Sequence, residues 1–275
     1  MEILKYPNVE TFLRNLAVLD TETVSTADDA DIIEYSFSVW SQGDDLENIT
    51  KKYNTTQDIS HGASAIHFLT NEDLVDCPYL KDDSLLLQTI EEFGAKYFAG
   101  HNVGFDHRMI HNNLNRHGYN IPEQVQNKEN WIDTLRIAKK LYAQDQSFEN
   151  LKLSYLWFRL GVNKKVQRKI VPHSAEDDVL MCFHVMMHML ETLIDNGQVD
   201  PTKDVGEELV RFCQEPMNYQ LMPFGKHKGM SMSEVPLTYL EWMVKNSDAL
   251  DENQVNYDPD FAFTVIHQLT TRGGM

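Results

Sequence analysis

Apolar and polar positions change their period several times along this chain. Ala17, Val18 and Leu19 form a short apolar run that breaks off at Asp20 and enters the polar stretch TETVSTADDAD. IIEYSFSVW, Ile32 to Trp40, reads as a strand, and so does the segment around LENITKKYN. Strands this close in sequence predict an antiparallel meander. From Asp82 to Phe93 the period becomes helical, with acids at the start. KYFAG, Lys96 to Gly100, is a short buried strand, and FDHRMIHNNLNRHG a helix closed by Gly118. IDTLRIAKKLYA and LKLSYLWFRLG read as two further helices. The longest helix runs from Ser174 and ends at Gly197. Strands first, then alternation with helices, predict a mixed sheet flanked by helices. A polar, acidic stretch after Gly197 reads as a linker or a poor helix. Beyond it, glycines around a basic turn lead into a helix bearing Tyr239, Leu240, Trp242 and Met243, which predicts a second, smaller module.

Length fits this division. The chain has 275 residues, enough for one large domain with a small appendix. No apolar run approaches the roughly 20 residues that span a bilayer, and the N-terminal residues carry no secretory pattern. Three cysteines without metal-type spacing (Cys77, Cys182, Cys213) suggest a reducing setting, so a cytoplasmic protein is expected. Formal net charge is -18, which argues against broad, sequence-independent nucleic-acid binding. It leaves room for an enzyme that grips a few phosphates through metals.

The chemistry begins where the first apolar run ends. In a strand, residues i and i+2 share a face, so Asp20 and Glu22 project together. Two adjacent carboxylates repel and raise each other's pKa unless a cation sits between them. Hard divalent cations prefer such oxygens. The plainer alternative is a strand end spilling into solvent. Asp106, in GHNVGFD, stands at the start of a helix, where an acid also suits the helix dipole. In PHSAEDDVL, His173 lies five residues before Asp178, one turn into the longest helix beside apolar Val179, Met181 and Cys182. Ser174 as an N-cap with acids in the first turn explains part of this segment. Four carboxylates (Asp20, Glu22, Asp106, Asp178) and one histidine together suit a two-metal phosphodiester hydrolase. The histidine would take the proton from the attacking water.

In this order, LDTET, GHNVGFD and HSAEDD resemble the three motifs of the DnaQ-like, or DEDDh, 3'-5' exonucleases. GASAIHFLTNEDLVDCP resembles the family's substrate-proximal segment, with Phe68 where the family has glycine. WIDTLRIAKKL resembles its Asp-Thr-Leu helix. The tail MPFGKHKGMSMSEVPLTYLEWMVKN resembles that of exodeoxyribonuclease X-like proteins. The resemblance implies an RNase H-like fold, a mixed five-stranded sheet flanked by helices. The exonuclease domain is expected over residues 12–196, an acidic linker over 197–216, and a small α+β module over 217–275. It implies Asp20, Glu22, Asp106 and Asp178 as ligands of two Mg²⁺ or Mn²⁺ ions, with His173 as general base. His67 would lie near the terminal nucleotide, Thr21 and Thr23 near its 3' hydroxyl or base, and Asn102 would orient the substrate or the motif.

NKKVQRKIVPH is a basic exception in an acidic chain, and Lys165 and Arg168 are candidates to hold a phosphate backbone. FGKHKG lacks the full nucleotide P-loop pattern and reads as a turn with exposed lysines. Tyr239 and Trp242, at helical spacing, are expected in a core rather than stacked on bases. The expected activity is metal-dependent 3'-5' hydrolysis of DNA from single-stranded 3' ends, with no membrane association. The alternatives are an RNA 3' exonuclease, a proofreading subunit with a polymerase or repair partner, and an inactive nucleic-acid-binding module.

Overall fold

The structure is a computed structural model, described here for residues 2–42, 45–166, 170, 174–254 and 256–273. The chain divides into two compact units, Met1–Ala138 with Asn150–Cys213, and Lys139–Glu149 with Gln214–Met275.

In the larger unit α1 (Pro7–Arg14) precedes the meander of β1 (Leu16–Thr23), β2 (Ile32–Gln42) and β3 (Asp45–Lys52). After α2 (His61–His67) and α3 (Leu85–Phe93), β4 (Tyr97–Gly100) leads into α4 (Gly104–Arg116). A one-turn α5 (Glu123–Gln126) precedes β5 (Trp131–Asp133), which runs straight into α6 (Thr134–Tyr142). The sheet order is β3-β2-β1-β4-β5. β1, β2 and β3 pair antiparallel, whereas β4 lies parallel to β1, and β5 to β4. Where the sequence predicts a helix from Ile132, the first residues instead form β5. Three residues are too few to show a strand period beside a nine-residue amphipathic helix.

Alternation in β1 divides its side chains between the two faces. Ala17 and Leu19 join Tyr35, Phe37, Met109, Ile110 and Leu114 in one core. Asp20 and Glu22 belong to the opposite set, on the side where α8 (Ala175–Asp195) packs across β1 and β2. α7 (Leu153–Arg159) packs on α8 in turn. Wrapped this way, α8 is apolar around almost its whole circumference from Val179 to Met187.

Two local features stand out. Phe68 ends α2 in the left-handed region (φ 59°, ψ 20°) that glycine adopts without strain, and its side chain is exposed. The segment after Gly197 contains α9 (Val205–Gln214), with Val205, Leu209 and Phe212 buried in the larger unit. Tyr97 donates to Asp204 at 2.9 Å, and Lys96 pairs with Asp204 and Glu207. Among the described residues, no helix is long and apolar enough to cross a membrane.

The smaller unit holds α10 (Leu237–Asn246) and α11 (Pro259–Gly273). They close on a core of Met222, Met232, Leu240, Met243, Phe261 and Val265. An isolated antiparallel bridge joins Leu221 to Ser231.

Gly206 has no side chain because the Tyr97 ring occupies the space. A Cβ there would lie 2.2 Å from that ring. Gly206→Ala is therefore expected to destabilise the larger unit by about 1–3 kcal/mol, as overpacking does. Urea denaturation checks this. Wild-type stability in the variant would mean that α9 does not pack as described.

Candidate active site

The site forms where β1 runs out of apolar residues. Asp20 and Glu22 leave the same face of β1, and α8 brings Asp178 over them from its first turn. One carboxylate oxygen from each of the three lies within 4.8 Å of the others. Asp106 reaches the same region from α4. It is buried, and its Oδ1 accepts from the Thr21 backbone N–H at 2.9 Å and the Thr21 hydroxyl at 2.7 Å. Thr21 sits between Asp20 and Glu22 in β1, so this pair of bonds ties the third motif acid to the first two.

The turn that delivers Asp106 is clipped to β5 and the residue after it. Asp133 accepts from the Asn102 backbone N–H at 2.9 Å and from that of Leu135 at 2.9 Å. Thr134 donates to the Gly100 carbonyl and lies 3.0 Å from His101 Nδ1. The Asp-Thr pair singled out in the sequence thus anchors the Gly-His-Asn turn.

A fifth acid, Glu34, escapes sequence reasoning. It sits on β2 opposite Glu22, with Lys52 as its neighbour on β3. Its carboxylate is buried, accepts from the Ala175 backbone N–H at 3.3 Å, and lies 3.6 Å from the Lys52 ammonium. Ser174 makes no side-chain capping bond. Glu34 therefore supplies, from the sheet, an acceptor at the N-terminus of α8, one turn before Asp178. The only sequence signal is a lone acid within an apolar strand.

The electrostatics follow from crowding. Burial raises the Asp20 pKa well above the usual carboxylate range, and Asp106, Glu22, Asp178 and Glu34 add to the rise. Burial, with repulsion from Asp178, Glu34 and Asp106, pushes Glu22 up to about 8. Burial also raises Asp106, to about 7, against the lowering effect of its two bonds from Thr21. Carboxylates that retain protons near neutrality are poised to exchange them for a cation. Their hard oxygen donors fit Mg²⁺ or Mn²⁺. Asp20, Glu22 and Asp178 can each offer one oxygen to a shared cation, and Asp106 stands beside them, bonded to Thr21.

The remaining candidates divide. His67 is buried, and its Nδ1 accepts from the Leu69 N–H at 3.0 Å, so Nε2 carries the proton. Burial lowers its pKa, partly offset by the Thr23 carbonyl, which links this histidine to the end of β1. The Thr23 hydroxyl donates to the Ser25 carbonyl at 2.6 Å. Asn102 has a left-handed backbone (φ 72°) and an exposed side chain. Lys165 is exposed and lies close enough to His188 to help lower its pKa, after burial. His188 is about 15 Å along the α8 axis from Asp178. His173 and Arg168 lie outside the described residues.

A family model described as "Exonuclease" (RNase_T) matches residues 17–186. A second, described as "Putative quorum-sensing-regulated virulence factor" (QSregVF_b), matches residues 213–248. No curated protein matches. Among solved structures, an exonuclease I from Methylocaldum szegediense matches at TM-score 0.51 and 18% identity, over 64% of this chain and 40% of its own. Exonuclease X in complex with 5' overhanging duplex DNA matches at TM-score 0.49 and 20% identity, over 72% of this chain and 99% of its own. The nuclease domain of 3'hExo, a DEDDh family member bound to rAMP, matches at 0.47 and 12%, over 64% and 92%.

The raised pKa values fix how metal-free stability depends on pH. Folded Glu22 holds its proton to about pH 8, whereas an ordinary glutamate releases it near 4.5. Between these values the folded state binds more protons than the unfolded one, so stability falls as pH rises. Urea melts in EDTA from pH 4.5 to 8 are expected to show this decline, and excess Mn²⁺ to remove it. Glu34→Gln keeps an acceptor for Ala175 while losing the charge, and should make the decline shallower. A flat metal-free profile would contradict the proximity of these acids.

Proposed function

The chain belongs to the exonuclease family whose model spans residues 17–186, and from that premise we propose that it is a metal-dependent 3'-5' exonuclease acting on DNA. The product is a nucleoside 5'-monophosphate, and the preferred substrate is an unpaired 3' end. The observation that carries this reading is the convergence of Asp20, Glu22 and Asp178 within 4.8 Å, with Asp106 held against the same strand by Thr21. A site so acidic repels a phosphodiester unless cations intervene.

Asp20, Glu22, Asp106 and Asp178 would hold two Mg²⁺ or Mn²⁺ ions, which supply charge neutralisation and Lewis-acid polarisation of the scissile phosphate. His173 takes the proton of the attacking water. An imidazole with an ordinary pKa near 6.5 suits that task at neutral pH. Glu34 orients the N-terminal turn of α8, and with it Asp178. His67, fixed beside Thr23 at the end of β1, would lie near the terminal nucleotide and shape its seat through that strand end. Thr21 and Thr23 shape the strand end through their internal bonds, and Asn102 works through the turn it forms. Lys165 and Arg168 hold the phosphate backbone upstream of the cleaved bond.

The test uses 5'-labelled single-stranded DNA and RNA of matched sequence, with Mg²⁺. A ladder shortening one nucleotide at a time from the 3' end of DNA is expected, abolished by EDTA. Asp178→Ala should lower the rate by more than about 100-fold, since even residues behind the ligands of a metal site cost 10–100-fold. His173→Ala should lower kcat with little change in KM. Preference for RNA would move the substrate class and keep the chemistry. Immediate release of a labelled mononucleotide, or no cleavage of either strand, would overturn the reading.

A further inference from the structure

The smaller unit carries an aromatic ladder that no catalytic role uses: Tyr239, packed on the core as its spacing predicts, and His227 are half-buried, and Trp242 is exposed at its end. The hydrophobic face of α10 is satisfied by Leu240 and Met243, both buried against Phe261 and Val265. Trp242 stands outside that core and is 53% exposed, contrary to the expectation from its helical spacing. Its ring stacks on Tyr239, with centroids 5.8 Å apart and planes at 24°. The edge of His227 meets Tyr239 in turn, at 4.6 Å and 71°.

His227 belongs to the basic turn Phe-Gly-Lys-His-Lys-Gly, and the turn is firmly built. Met222 N–H donates to the Met230 carbonyl and Gly229 N–H to the Met222 carbonyl, each at 2.8 Å. Gly225 takes a φ of 75°, and a Cβ there would come within 2.8 Å of the Tyr239 hydroxyl. Turn and helix are therefore fitted to one another through Tyr239. This fixes Lys226 and Lys228, on either side of His227, beside the ladder. Both lysines are exposed, and among the described residues neither pairs with an acid. Next to Tyr239 and Trp242 an open depression of about 530 Å³ is lined also by Phe224, Asn246, Asn256 and Asp248.

We infer that this face binds single-stranded nucleic acid, with a base stacked on Trp242 and flanking phosphates on Lys226 and Lys228. The ring faces and lysines match the two recurring elements of sequence-independent strand binding. Asn246, Asn256 and Asp248 offer polar edges to a base in the depression. In a chain of net charge -18, Lys226 and Lys228 put two cations on one turn, without an ion-pair partner among the described residues. The inference rests on the reading that the chain handles a nucleic-acid strand, but not on cleavage.

The test uses the full chain in EDTA, where cleavage is suppressed, and a 5'-fluorescein oligothymidylate of about 20 nucleotides. Polarisation titrations should show Trp242→Ala weakening binding by at least about five-fold, the lower bound for one lost base stack. Trp242→Phe should recover part of it. Lys226→Ala/Lys228→Ala should flatten the slope of log K against log salt by about 1.4, or 0.7 per phosphate contact on a single strand. With Mn²⁺, hydrolysis of the p-nitrophenyl ester of thymidine 5'-monophosphate should be unchanged in Trp242→Ala, and so should its melting temperature. Oligothymidylate binding unchanged in both variants would overturn the inference. So would self-association or protein capture that depends on Trp242 while strand binding does not. If the wild type cleaves neither ester nor strand but binds the strand through Trp242, the proposed activity fails and the inference stands.

Discussion

Repulsion among crowded, largely desolvated carboxylates is the constraint around which the larger unit is organised. Asp20, Glu22, Asp106, Asp178 and Glu34 converge on one sheet end from β1, β2, α4 and α8. Left to themselves, such groups would separate or protonate. The surrounding structure prevents separation. β1 is locked between β2 and β4 at the centre of the sheet, and α8 is held over it by a largely apolar body. Bonds from Thr21 hold Asp106, and Asp133 with Thr134 pins the turn that carries it. The fold thus maintains a site that is more comfortable with cations than without them.

The same constraint makes sense of a strongly acidic chain in a nuclease family. A polyanionic substrate is not attracted by the protein's overall field. Recognition must come from bound cations and from local groups that escape the general acidity. The turn around His227 is the place inferred for this above, and the proposed function assigns the same role to the basic segment before His173.

Much of this was legible in the sequence because it rests on local periods. The strand rule puts Asp20 and Glu22 on one face, and the first turn of a long apolar helix exposes Asp178 as out of place. The missing parts depend on distant partners. Glu34 reads as an ordinary outward-facing acid in IIEYSFSVW, since the N–H it accepts lies at Ala175, on the other side of the chain. β5 is hidden by the amphipathic helix that follows it. Trp242 has the spacing of a core residue, yet Leu240 and Met243 already fill the core, and periodicity alone does not say which of the neighbouring apolar positions is left outside. Phe68 marks the reverse case. A glycine position read by resemblance does have a left-handed backbone, and an exposed phenylalanine bears the strain.

The central claim is that the crowded acids exist to bind divalent cations. Counting Mn²⁺ bound to the protein at neutral pH, by the loss of free Mn²⁺ signal in electron paramagnetic resonance, addresses it without relying on turnover. Two ions per chain are expected, with fewer bound when Asp20→Ala removes the ligand shared by the strand end. No saturable binding in a folded protein that still degrades nucleic acid would contradict it.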